Sequence, residues 1–155
     1  LVYVLKQYGS QTIIRTADYG DYYVDNAASA AVGTVQELVL LGGNEDMTDG
    51  GEINPDVMDA VLKYAKDSYT IVDKPTFGSV KLSTLLSDNY PNIADTQIEF
   101  VGVCTGICVI SNVLLAKANL YEAQIRVIEH ACACVTPDTH KTAIDAMKTC
   151  QIDIV

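Results

Sequence analysis

Three groups of residues in this sequence have the types and spacing to do chemistry. Cys104 and Cys108 stand four positions apart in VCTGICV, where an apolar run from Ile98 to Val103 meets a Thr105-Gly106 turn. Lys74 follows a second apolar run, Tyr69–Val72, and is itself followed by Pro75, Thr76, Phe77 and Gly78. His130, Cys132 and Cys134 alternate further along the chain.

Cys108 opens a helix directly after a strand and a tight turn. A thiol in that position has its thiolate stabilised by free amide groups and by the helix dipole. The amides of Cys104, Thr105, Gly106 and Ile107 can also receive negative charge developing on an attacked carbonyl. The same letters fit two buried cysteines one helical turn apart. Lys74 ends a strand, and in a parallel sheet the C-terminal strand ends converge on one crevice, so Lys74 and Cys108 can meet there. A lysine beside the thiol favours the thiolate, although a surface lysine flanked by a turn reads the same way. His130, Cys132 and Cys134 have soft-metal ligand types; on or after a strand, ordinary packing explains them better. Tyr19, Tyr22 and Tyr23 either line a pocket for a planar substrate or form a solvent-facing edge.

The elements that must position these groups are legible in the periodicity. Strands are expected at Thr12–Thr16, Val35–Leu41, Tyr69–Val72, Ile98–Val103, Gln124–Glu129 and Gln151–Val155, and Leu1–Leu5 is a short strand or a helix end. Helices are expected after Asn54-Pro55, over Leu82–Leu86, over Ile107–Leu120, and from Thr136-Pro137-Asp138 to about Lys148. At both Asn54 and Thr136 a capping side chain precedes proline and an acid, which suits the positive helix end. From Tyr69 onward strand and helix alternate, which argues for a parallel sheet covered by helices.

Composition narrows the function classes. At 155 residues the chain suffices for one domain with one core, and 49% apolar residues exclude a disordered chain. Twenty acidic residues against ten basic ones give a net charge of -10, which repels phosphate backbones and argues against nucleic acid and anionic membrane as partners. No apolar run has the length of a bilayer-spanning helix. The five cysteines all lie in the last third, and an odd count is a poor disulfide framework, so a reducing, cytoplasmic setting is expected.

Two segments, IVDKPTFGSV at 71–80 and FVGVCTGICVISNVLLAKANLYEAQIRVIEHACACVTPDTHKTAIDAM at 100–147, resemble the isochorismatase-like and nicotinamidase-related cysteine hydrolases. Those proteins carry a lysine in a DK-P-x-F segment and a cysteine in a G-V-x-T-x-x-C-V segment, matched here by Lys74 and Cys108. Weaker likeness at 50–57 and 8–23 extends the match over most of the chain. The resemblance implies an α/β domain spanning 1–155, three-layered (α/β/α) with a mainly parallel sheet. It implies hydrolysis of a small amide, nicotinamide or a related carboxamide, with Cys108 as nucleophile, Lys74 beside it, and Phe77, Tyr19 and Tyr22 near the substrate. Self-association into a homo-oligomer stays open. A cis peptide, frequent in the family's V-T junction, would fall between Cys104 and Thr105.

Two departures from the family pattern stand out. The family's first strand carries an aspartate in a D-x-Q-x-D-F arrangement, which no segment before TIIRTADYG matches. Either Leu1–Val4 is that strand, with Leu5 at the aspartate position, or the copy begins inside the family's first helix and lacks the strand. The second account is favoured, and it predicts an open slot in the sheet. Asp18 is then the nearest candidate for the acid–base carboxylate. Asp18 also matches an aspartate of the family's metal site, but Gly20 replaces the histidine expected two residues on. The resemblance therefore implies a degraded or absent metal site and no cofactor. A non-catalytic binding or oligomeric scaffold is the alternative function.

Overall fold

The structure is a computed structural model that describes residues 2–7, 37–43, 59, 62–63, 69–74, 76–89, 94 and 97–155. Strands β1 (Val2–Gln7), β2 (Glu37–Gly43) and β3 (Tyr69–Lys74) precede helix α1 (Val80–Asn89) and strand β4 (Gln97–Val103). A π-helical turn, Thr105–Val109, leads into α2 (Ile110–Asn119), followed by β5 (Gln124–Ala133), α3 (Pro137–Thr149) and β6 (Asp153–Ile154). The expected strands at 12–16 and the helix after Asn54 lie outside the described residues, apart from helical positions at Asp59, Leu62 and Lys63.

The six strands form one sheet in the order β3-β2-β1-β4-β5-β6. β2 pairs in parallel with β3, and β4, β5 and β6 pair in parallel in turn. β1 lies at the centre and runs antiparallel to both neighbours, with Val2 opposite Leu41 and Gly102. Val2–Leu5 is thus strand, as one of the expectations had it, and two details are corrected. The central slot is filled, not open, and Leu5 pairs with Leu38 and Glu99, away from the C-terminal ends of β2 and β4. Reversal puts the start of β1, not its end, at the crevice.

Ile98 and Phe100 of β4 alternate with Glu99 and Val101, as pleating requires. The first pair joins Val72, Leu82, Leu86, Val113, Val127 and Met147 in one buried cluster, so α1, α2 and α3 pack on this face. Phe100, fully enclosed, contributes on the order of 2–3 kcal/mol through burial alone. Glu99, Val101 and Ile128 are also buried although they face away from that cluster, so the sheet is covered on both sides. The β4–α2–β5 and β5–α3–β6 crossovers progress in one direction along the sheet. The β2-to-β3 step progresses the other way along the sheet. The result is the expected three-layer α/β/α architecture.

Local chemistry explains the boundaries near the crevice. Gly102 takes φ 126°, a conformation that a side chain would strain, just where the β4–β5 register shifts between Phe100 and Gly102. The next junction, Val103–Cys104, is the cis peptide, one position earlier than the motif suggests. The expected continuous helix from Ile107 is replaced by the π turn: the Cys104 carbonyl accepts from both Ile107 N (3.0 Å) and Val109 N (3.1 Å) before α2 begins. At α3 the expectation holds. Thr136 caps the helix in a reciprocal box with Thr139, and Pro137 fills the first turn.

Candidate active site

Neighbouring strands lie about 4.8 Å apart, so β3 and β4, separated by β2 and β1, stand roughly 14 Å apart in the sheet. Residues at their ends can meet only above the strand tips. They do so here. Lys74 Nζ lies 3.8 Å from Cys108 Sγ and donates to the Thr76 carbonyl at 3.2 Å. Lys74 is buried, whereas Cys108 is half-buried. A buried ammonium is costly without an opposing charge, and among the described residues its side-chain partner is the Cys108 sulfur.

Asn112 holds the two halves of this site together. It is fully buried one helical turn beyond Cys108. Its Oδ1 accepts from Ser79 N at 2.9 Å, and its Nδ2 donates to the carbonyls of Phe77 (2.9 Å) and Cys108 (2.8 Å). The loop leaving Lys74 is thereby fixed to the helix carrying Cys108. Gly78 allows the close approach, since a Cβ there would lie 2.8 Å from Leu115 Cδ1. The sequence analysis did not single out Asn112. Its signal is an amide inside the apolar helix ISNVLL, at i+4 from the cysteine.

The turn between Cys104 and Cys108 is braced from α3. Thr105, fully buried, shares a 2.8 Å hydrogen bond with His140 Nδ1, and His140 Nε2 lies 3.8 Å from Glu129. Gly106 N donates to Cys134 Sγ at 3.3 Å. The amides of Gly106 and Ile107 thus already have partners, which narrows the expected oxyanion group. Burial first, then the neighbouring Cys134 and Cys108 sulfurs, raises the Cys104 thiol above its ordinary value. For Cys134, burial also acts upward, but hydrogen bonds from Thr139, Gly106 and Val135 outweigh it and hold the thiol below its ordinary value.

The remaining candidates divide. Phe77 is exposed on the loop after Lys74, its carbonyl tied to Asn112. Asp18, Tyr19 and Tyr22 lie outside the described residues. His130 is exposed and Cys132 buried. Among the described residues no three or more His, Cys, Asp or Glu side chains gather as a metal ion would require. No described helix is long and apolar enough to cross a membrane.

A family model for the isochorismatase domain matches residues 22–155. The chain belongs to the isochorismatase family. Solved structures share the fold of this isochorismatase domain. A nicotinamidase from Staphylococcus aureus superposes with TM-score 0.61 at 24% identity, covering 75% of this chain and 73% of that one. An isochorismatase-like hydrolase from Alkaliphilus metalliredigens gives 0.63 at 16% identity, covering 85% and 72%. A pyrazinamidase/nicotinamidase from Streptococcus mutans gives 0.59 at 19% identity, covering 93% and 73%. No curated protein matches the sequence.

Proposed function

We propose that this isochorismatase-family domain hydrolyses the C–N bond of a small carboxamide, nicotinamide or a related amide, through a Cys108 acyl-enzyme. The observation that carries this reading is the 3.8 Å approach of the buried Lys74 ammonium to Cys108 Sγ above the strand ends. The Cys108 sulfur attacks the carbonyl carbon, and the nitrogen departs as ammonia once protonated. Water then cleaves the thioester, releasing the acid and restoring the thiol. Lys74 stabilises the thiolate. With the Gly106 and Ile107 amides engaged, the oxyanion falls to the amides of Cys104, Thr105 and Cys108. Asp18 is the proposed acid–base carboxylate, with Tyr19, Tyr22 and Phe77 around the substrate. The fold shared with solved nicotinamidases supports nicotinamide as the first amide to try. Ammonia release from a panel of carboxamides, compared between wild type and Cys108→Ala, tests the reading; equal rates in the two proteins would sink it.

One observation favours a second reading, a non-catalytic binding or oligomeric scaffold. The central strand β1, VYVLKQ, brings no carboxylate to the crevice. A wild-type protein that binds carboxamides without releasing ammonia would establish this alternative.

A further inference from the structure

Cys134 has no part in the hydrolytic reading, yet its surroundings are specific. Val103 and Ala133 pair across the β4–β5 ladder, and Cys104 and Cys134 are the residues that follow them. The two cysteines thus leave adjacent parallel strands side by side. Strand spacing of about 4.8 Å falls inside the Cα separation a disulfide needs.

The polarity of the pair is also defined. The Gly106 amide donates to the Cys134 sulfur at 3.3 Å, and hydrogen bonding holds the Cys134 thiol below its ordinary value while burial raises that of Cys104. The difference favours the thiolate at Cys134 and leaves the proton on Cys104. Cys134 also borders an open, mainly apolar cavity of about 350 Å³ between the π turn and α3, walled by Gly106, Ile107, Val135, Thr139 and Ala143. A small neutral oxidant can enter there. Both cysteines are half-buried and carry free thiols.

We propose that Cys134 and Cys104 form a peroxide-reactive pair, with Cys134 as the attacking sulfur and Cys104 as the resolving thiol. The Cys134 thiolate attacks one oxygen of a hydroperoxide, forming an S–O bond as the O–O bond breaks. With hydrogen peroxide, the departing hydroxide takes a proton and leaves as water. The Cys104 sulfur then attacks the sulfenic sulfur, forming the S–S bond and expelling the hydroxyl, which leaves with the Cys104 proton as a second water. Two thiols and one peroxide give one disulfide and two waters. Cys104 belongs to the turn that presents Cys108, so oxidation alters the geometry of the hydrolytic site.

The test uses the reduced full chain exposed to one equivalent of hydrogen peroxide, alkylated and mapped by mass spectrometry without reduction. The expected product is a Cys104–Cys134 linkage, located by fragmentation and reversed by dithiothreitol. In Cys104→Ser, dimedone should trap the sulfenic acid on Cys134 about tenfold over the exposed Cys150. A Cys104–Cys108 linkage, dimedone chiefly on Cys108 or Cys150, or unlinked thiols after one equivalent would overturn the proposal. Mapping of the wild-type chain decides the linkage even if the variant folds poorly. It reads the bond itself, so its outcome is independent of whether the protein hydrolyses amides.

Discussion

Lys74 and Cys108 are 34 positions apart in sequence, one ending β3 and the other following β4 with two strands between, yet Nζ and Sγ stand 3.8 Å from each other. The contact exists because the loop after β3 and the π turn after β4 both rise above the strand tips, where Asn112 ties them together.

Under the proposed chemistry, Cys108→Ala should bring ammonia release down to the uncatalysed rate. Lys74→Met should lower kcat/KM by about 10²–10⁴-fold, the range typical of a group that manages charge beside the nucleophile. Steady-state assays on both variants, with circular dichroism to confirm folding, provide the check.

Asn112→Leu keeps the side-chain volume and deletes three hydrogen bonds to the backbone, one to the buried Ser79 amide and two to part-buried carbonyls. Stability should fall by about 1–3 kcal/mol, the cost of leaving one buried group unsatisfied. Urea denaturation measures it. An unchanged midpoint would mean that the loop after Lys74 is not held by this amide.

Glu99 is almost wholly enclosed, with Oε1 2.9 Å from Arg126. Burial raises its carboxyl above the ordinary value, and Arg126 acts against that. The folded protein therefore holds the proton more tightly than the unfolded chain does. The group's contribution to stability is complete below the ordinary glutamate value and is lost as pH rises through the folded one. Arg126→Met removes the opposing charge and should steepen that loss. The expected cost is about 3 kcal/mol at pH 7, shrinking toward pH 4. Denaturation at the two pH values reads the difference, and a cost independent of pH would contradict the assignment.

Brief iodoacetamide labelling of the folded protein should modify Cys108 and Cys134 before Cys104. Lys74 adjoins the first sulfur and the Gly106 amide donates to the second, while burial raises the Cys104 thiol. Peptide mapping after short exposures supplies the order; early modification of Cys104 would remove Cys108 from its proposed role.

Thr136→Ala deletes the side-chain half of the α3 cap and should cost about 1 kcal/mol, read as a lower denaturation midpoint.

The second half of the fold was legible because its signals are local. Ile98–Val103 is a strand of nearly unbroken apolar residues, and Thr136-Pro137-Asp138 specifies a helix start without tertiary help. Lys74 and Cys108 stood out through their match to the DK-P-x-F and G-V-x-T-x-x-C-V segments; strand-end convergence alone left a surface lysine and two buried cysteines as open alternatives. The direction of β1 was not legible, because VYVLKQ pairs equally well either way and its orientation depends on partners far along the chain. The π turn was hidden for a similar reason, since apolar spacing after Ile107 fits an ordinary helix until the Cys104 carbonyl accepts two donors. Cys134 read as packing because its donor is the Gly106 amide, which no sequence period connects to it.

The central position of β1 has a kinetic consequence. Each β4–β5–β6 crossover closes through a short βαβ unit, whereas pairing Val2 with Gly102 requires a loop of roughly a hundred residues to close. Such non-local pairing slows the search for the native state. The β4–β6 half should therefore gain protection from hydrogen exchange first, and β1 should zip the two halves together last. Pulse-labelling during refolding would read this as late protection of Val4 and Leu5 amides relative to Val127; simultaneous protection would show that the strand is captured from the outset.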